Sequence, residues 1–331
     1  MKHRRSPRCP QPQEPNNSDF YQSYLEFPSD VEESEFHCLN LFITRPSRAT
    51  LSSSGAETIL PVYAYIHGGA YAFGAGTDPM WGEGASCNSV HQCENINANF
   101  GLMIIDPARL VAKSVEIGTP IIVVTINYRL NLFGFAASSE IIDSQSPGQT
   151  RGCNFGLGDQ NIALRWVKRN IGAFGGDPSR MTVGGQSAGG SSAHAHVLEA
   201  ILGSDAPLIQ RAIIQSGAVG VLGPLTMKGV DARWATLCEK LGAPPEGTAG
   251  RIEFMRNVPA DALLQAYREL GWNVCPLVQD NLTISQRAGN RWSVNFLTSD
   301  HPVADVRKCE KPEFAVLIGD TELEVCQNRK P

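Results

Sequence analysis

The segment Met181 to Gly190, MTVGGQSAGG, contains Gly185-Gln186-Ser187-Ala188-Gly189, a G-x-S-x-G pentapeptide. It lies between a short strand signal, Met181 to Gly184, and a small-residue helix signal from Ala188 to about Leu202. A serine on so tight a turn sits in strained backbone, which only small flanking residues allow. Its hydroxyl then stands clear of the sheet edge, as a nucleophile must. The helix that follows sets the Ala188 N–H and the helix dipole beside a reacting oxygen. The bland alternative is a glycine-rich turn that happens to hold a serine. The strand before it and the helix after it argue against that.

A second segment fits the same chemistry. In YIHGGAYAFGAG, Tyr65 to Gly76, a strand ends in His67-Gly68-Gly69-Ala70. Acyl transfer needs hydrogen-bond donors aimed at an oxyanion, and backbone amides of small residues can approach closely. Gly69 and Ala70 are the expected donors, with Ala188 the third. A dinucleotide or phosphate loop is the competing reading. It fails on spacing: no G-x-G-x-x-G follows the strand, and no acidic residue lies about 20 positions on.

The elements that must hold these residues alternate along the chain. Strand signals are Leu39 to Thr44, Ile59 to His67, Pro120 to Asn127 (apolar on both faces), Met181 to Gly184, Arg211 to Gln215 and Phe314 to Ile318. Helix signals are Pro107 to Ile117, Asp159 to Asn170, Ala188 to Leu202, Ala232 to Leu241 and Ala260 to Leu270. In the second, Ile162, Ala163, Trp166 and Val167 form the expected core face, opposite Arg165, Lys168 and Arg169. Leu51 to Thr58 reads as a Ser/Gly-rich turn. Apolar strands alternating with helices imply an α/β fold with a mostly parallel sheet covered on both faces. No internal repeat or long linker divides residues 1–331, so one domain is expected. Residues 82–104 are an irregular insertion within it.

Composition agrees with an enzyme of this kind. The 331 residues carry 28 Lys+Arg against 33 Asp+Glu, a net charge of −5, which argues against nucleic acid as a ligand. Hydrophobic residues make up 42% and charged residues 18%, enough for a sizeable core. The longest apolar runs, such as Ile121 to Val124, fall far short of the roughly 18 residues that span a bilayer. Nine cysteines are many for a cytosolic enzyme. Two N-glycosylation sequons occur, Asn16-Asn17-Ser18 and Asn281-Leu282-Thr283, which matter only in a secreted chain. The basic, Pro-rich start has no apolar h-region, so no signal peptide is read in it. Cys87, His91 and Cys93 lack an obvious fourth ligand nearby, so no metal is expected.

Several long motifs carry a resemblance. FGGDPSRMTVGGQSAGG (Phe174 to Gly190), NYRLNLFGF (Asn127 to Phe135) and NFGLGDQNIALRWVKRNI (Asn154 to Ile171) resemble the type-B carboxylesterase/lipase family of the α/β-hydrolase fold, in a form similar to fungal members. FHCLNLFITRP (Phe36 to Pro46) and RCPQ (Arg8 to Gln11) resemble the family's two early cysteine segments, although Phe36-His37 replaces its usual acidic residues. The resemblance spans Cys9 to Glu324 and implies a Cys9–Cys38 disulfide. It implies a secreted serine hydrolase for small-molecule or lipid carboxylic esters, acting through an acyl-enzyme intermediate without a cofactor. It also places the triad acid at Glu324, five residues after the Gly that ends the last strand, with Val325 where members usually have Gly. Glu322 is the competing candidate, and a surface acidic loop the bland one.

Chain order in this fold is Ser, then acid, then His. No His follows Glu324. The chain is therefore read as a partial domain, truncated at both ends. His194 and His196 lie on the helix after Ser187, with His196 roughly 13 Å along its axis. His67 sits at the oxyanion turn and orients that loop. His301 is the remaining candidate base. Losing the serine–histidine pair costs about 10⁶-fold in a comparable hydrolase, so the 331-residue polypeptide is expected to be nearly inactive. The alternatives are a catalytically silent binding or adhesion domain of the same family and a non-functional fragment.

Overall fold

A computed structural model describes residues 6–12, 32–54, 59–76, 106–146, 152–202, 207–218, 220, 223–245, 247, 250–284 and 314–319. Among the described residues eight strands appear in chain order: β1 Leu41–Thr44, β2 Leu60–Ile66, β3 Ile122–Ile126, β4 Gly176–Gln186, β5 Arg211–Gln215, β6 Leu225–Thr226, β7 Val278–Gln279 and β8 Ala315–Gly319. Six form the central sheet in the order β1-β3-β2-β4-β5-β8, and β6 pairs with β7 alone. All neighbours in the large sheet run parallel except β1, which lies antiparallel on β3. The helices are α1 Arg48–Ser54, α2 Pro107–Glu116, α3 Asn131–Phe135, α4 Ser139–Asp143, α5 Phe155–Asn170, α6 Ala188–Leu202, α7 Met227–Lys240, α8 Gly250–Arg256 and α9 Ala260–Glu269.

The central strands bury both faces, as a parallel sheet sandwiched by helices requires. Every residue of β3 is buried, and β2 is nearly so. Val62, Ala64, Ile66, Val124, Ile126, Met181 and Val183 meet Leu164, Val167 and Ile171 in one large core cluster, while Tyr63, Tyr65 and Val123 pack with Val111 of α2 in a second. α2 begins where Asp106 accepts hydrogen bonds from the Ala108 and Arg109 amides, with Pro107 at the first helical position.

Three expectations from sequence are corrected. The expected turn at 51–58 is instead occupied up to Ser54 by the end of α1, which begins at Arg48. In α5 half of the expected face is buried: Val167 lies in the core and Ala163 packs against it, but Ile162 and Trp166 do not. Ile162 is 67% and Trp166 40% exposed, whereas Gly156, Leu157, Asp159, Gln160, Leu164 and Val167 are buried. The helix starts four residues earlier than its apolar signal, and its inward face is set by two polar residues that hold partners inside the protein. Asp159 receives the Arg129 guanidinium at 2.7 and 2.8 Å and its amide at 3.0 Å. Finally, β8 is not covered on both faces: Val316, Leu317 and Ile318 are 47%, 66% and 56% exposed. The insertion 82–104, with Cys87, His91 and Cys93, lies outside the described residues, as do Glu322, Glu324 and His301.

Cys9 and Cys38 form a disulfide across 29 residues of sequence, as the resemblance implied. Cys153, Cys238 and Cys275 are buried thiols. Burial pushes the Cys275 thiol up to about 11 and the Cys153 thiol up to about 12, so both stay protonated. Opening a loop of this length gives the unfolded chain back about 3–4 kcal/mol of closure entropy. Cys38→Ser should therefore lower the stability read from urea unfolding by about that amount.

Candidate active site

Parallel pairing brings the carboxyl ends of four strands to one edge of the sheet. Ile66 of β2 lies level with Gly185 of β4, Gln186 of β4 with Gln215 of β5, and Gln215 with Gly319 of β8. The turn after β2 and the serine after β4 thus emerge side by side, where open α/β sheets place their ligands.

Ser187 stands between β4 and α6 with φ of 55°, the left-handed region. For a non-glycine residue this is strained. The surroundings hold it there. Its amide donates to the Gln215 carbonyl at 2.9 Å, and its carbonyl accepts from the Ser191 amide at 2.9 Å, opening α6. Three glycines let the backbones come this close. A Cβ on Gly185 would lie 2.3 Å from the Gly189 carbonyl oxygen, on Gly189 2.0 Å from that of Ile66, and on Gly217 2.0 Å from that of Ser187. Gly189→Ala should therefore destabilise the fold by at least about 2 kcal/mol, measured by urea unfolding.

The turn after β2 presses against the serine. A Cβ on Gly68 would meet the Ser187 Cβ at 3.3 Å. Gly69, Ala70 and Tyr71 follow with φ of 105°, 54° and 59°. Ala72 and Phe73 donate back to the Gly69 carbonyl. The amides of Gly69, Ala70 and Ala188 have no acceptor among the described residues. Consecutive amides left without acceptors in such a turn form an anion-receptive concavity.

The turn is braced from four directions. The Cys275 amide donates to the Ala70 carbonyl, and the Asn131 amide to that of Tyr71. Asn131 Nδ2 donates to the carbonyls of Pro10 and Ala72. Gln11 clamps Gly74 from both sides, accepting its amide at 2.8 Å and donating to its carbonyl at 3.3 Å. The Tyr71 hydroxyl meets Ser192 Oγ at 3.2 Å, which in turn accepts from Gln160. Gln160 Oε1 lies 3.1 Å from His196 Nε2, and His196 Nδ1 lies 3.3 Å from Glu199. A buried polar chain thus ties the turn to α5 and α6. Neither its clamp residues nor this chain could be read from the sequence, because every member is joined through tertiary contact.

The three described histidines in this region are all buried. The His67 ring stacks on Tyr128 at 4.4 Å, and its Nδ1 lies 2.8 Å from the Gly68 carbonyl. Burial lowers the His67 pKa to about 4, as it does that of His194. No hydrogen bond joins a described histidine to the Ser187 hydroxyl. A cavity of about 30 Å³ beside Trp234 and Trp272 and an open hollow of about 710 Å³ between Glu33 and Arg268 both lie away from the elbow.

These histidines make stability depend on pH. Each binds its proton near pH 6.5 in the unfolded chain and only near pH 4 in the folded one. Between those values the unfolded state holds more protons, so stability is complete above about pH 6.5 and falls as the pH is lowered. The two rings contribute about 3 kcal/mol each by pH 4. The urea midpoint should drop between pH 7 and 5, and His194→Gln should flatten that slope.

Comparison with known proteins agrees with this geometry. The carboxylesterase family profile matches residues 3–330. A "carboxylic ester hydrolase" of Bombus ignitus is 36% identical over 234 residues, 70% of this chain and 33% of its own. The para-nitrobenzyl esterase of Bacillus subtilis (strain 168) is 33% identical over 265 residues, 79% of this chain and 41% of its own. A solved PNB esterase structure superposes with a TM-score of 0.63 and 28% identity, covering 96% of this chain and 52% of that one. The chain thus spans about a third to two fifths of the curated relatives it matches. It belongs to the carboxylesterase family and has that family's α/β-hydrolase fold.

Proposed function

We propose that the protein hydrolyses carboxylic esters through a covalent acyl-serine. Ser187 is the nucleophile. The amides of Gly69, Ala70 and Ala188 receive the oxyanion, and Glu324 orients the base. The observation that carries this reading is the left-handed Ser187 at the sheet edge, with acceptor-free amides on the turn beside it. Attack by Ser187 Oγ on the ester carbonyl puts negative charge on the carbonyl oxygen. Fixed backbone donors stabilise that charge without reorganising, and one such donor is worth about 3–4 kcal/mol. The alcohol leaves, and water then releases the acid.

A base must take the serine proton. His67, His194 and His196 are buried within the packed core and are not assigned that role; added imidazole can stand in for it. The substrates are small-molecule or lipid esters. The Cys9–Cys38 disulfide supports a chain that works in an oxidising compartment, outside the cell or in the secretory lumen. No described helix is long and apolar enough to cross a membrane.

A fluorophosphonate probe tests the assignment. It should label Ser187 in the folded chain, and Ser187→Ala should abolish labelling. Added imidazole should accelerate both labelling and turnover of a p-nitrophenyl ester by standing in for the base. A folded chain that stays unlabelled even with imidazole would sink the reading and favour a silent binding domain.

A further inference from the structure

We propose that Asn281 is an acceptor for an N-linked oligosaccharide. It is the first residue of Asn281-Leu282-Thr283, an N-x-T sequon with no proline in the middle. A glycan is bulky and needs a surface loop. The sequon supplies one: it forms the turn after β7, and all three of its residues are exposed.

The turn is held from its base. Asp280, buried at its base, does the holding. Its Oδ1 accepts the amides of Leu282, Thr283 and Ile284 at 3.0, 2.8 and 3.0 Å. Its Oδ2 accepts the Cys153 amide and the Thr283 hydroxyl, each at 2.6 Å. Asn154 Nδ2 donates to the same Thr283 oxygen at 2.7 Å. The Asn281 amide closes the turn on the Ile284 carbonyl at 2.9 Å. Asn281 itself sits at φ of 61°, a conformation asparagine tolerates better than most residues. Leu282 beside it is 48% exposed, an apolar surface that a first sugar ring would cover. Asn281 itself is exposed, at the surface that so bulky a substituent needs.

The transfer is a substitution at an anomeric carbon. Asn281 Nδ2 attacks C1 of a lipid-diphosphate-linked oligosaccharide. The N–C1 bond forms, the C1–O bond to the diphosphate breaks with its electron pair leaving on oxygen, and the amide releases one proton. In the folded turn the Thr283 hydroxyl is engaged by both Asp280 and Asn154, so transfer takes place on the open chain, before the turn closes. The proposal rests on the oxidising-compartment reading given above.

The test uses the full chain directed into the secretory pathway of a yeast, with glycans released by an N-glycosidase in heavy-oxygen water. Asn281 should be recovered as isotopically marked Asp. Asn281→Gln should remove one mobility step. Thr283→Ser should retain the glycan, and Leu282→Pro should lose it. Recovery of Asn281 as unmodified Asn from the directed chain would overturn the proposal, whatever happens at the other sequon, at Asn17. The compartment is tested separately, by fractionating cells that make the chain without an added leader. A cytosolic chain there, beside glycan on the directed chain, would refute the compartment and leave the acceptor site standing.

Discussion

The left-handed backbone at Ser187 is the constraint around which the site is built. A non-glycine residue holds that conformation only where its surroundings over-determine it. Here they do so through contact between three strand ends. The Ser187 amide is taken by β5, its Cβ lies against the turn from β2, and its carbonyl starts α6. The glycines at 185, 189 and 217 are required because each faces a carbonyl oxygen at a distance no side chain permits. The strain and the close approach are one arrangement: relaxing the serine would separate it from the turn after β2.

Around that point, polar groups do work that apolar packing cannot. An apolar core is tolerant of small shifts in orientation, whereas a hydrogen bond is not. Gln11, Asn131, Cys275 and Ser192 each fix one position of the turn by hydrogen bond. Buried, fully partnered groups of this kind restrict a structure to a single geometry. The Arg129–Asp159 pair does the same for the loop after β3, from which Tyr128 and Asn131 reach the turn.

What could be read from sequence divides along physical lines. Strand β3 was legible because it is apolar on both faces, and the elbow because its glycines and serine are local requirements of one turn. The Cys9–Cys38 pairing came only through resemblance. The buried face of α5 was legible at Ala163 and Val167 only, since Asp159 and Gln160 point inward to partners 30 and 36 residues away in sequence, while Ile162 and Trp166 remain outside. Hydropathy assigns a polar residue to solvent unless its partner is known. The short helix α1 was missed because its Ser-rich sequence has turn chemistry. The exposure of β8 departs from its apolar sequence, which asks for cover on both faces.

The clamp from Gln11 to Gly74 has a kinetic side. It joins residues 63 apart, and Asn131 joins Pro10 across 121. Such contacts form only after the loop-closure entropy between them has been met, whereas helices such as α6 close through neighbouring residues. The turn after β2 is therefore held by contacts that carry a large closure cost.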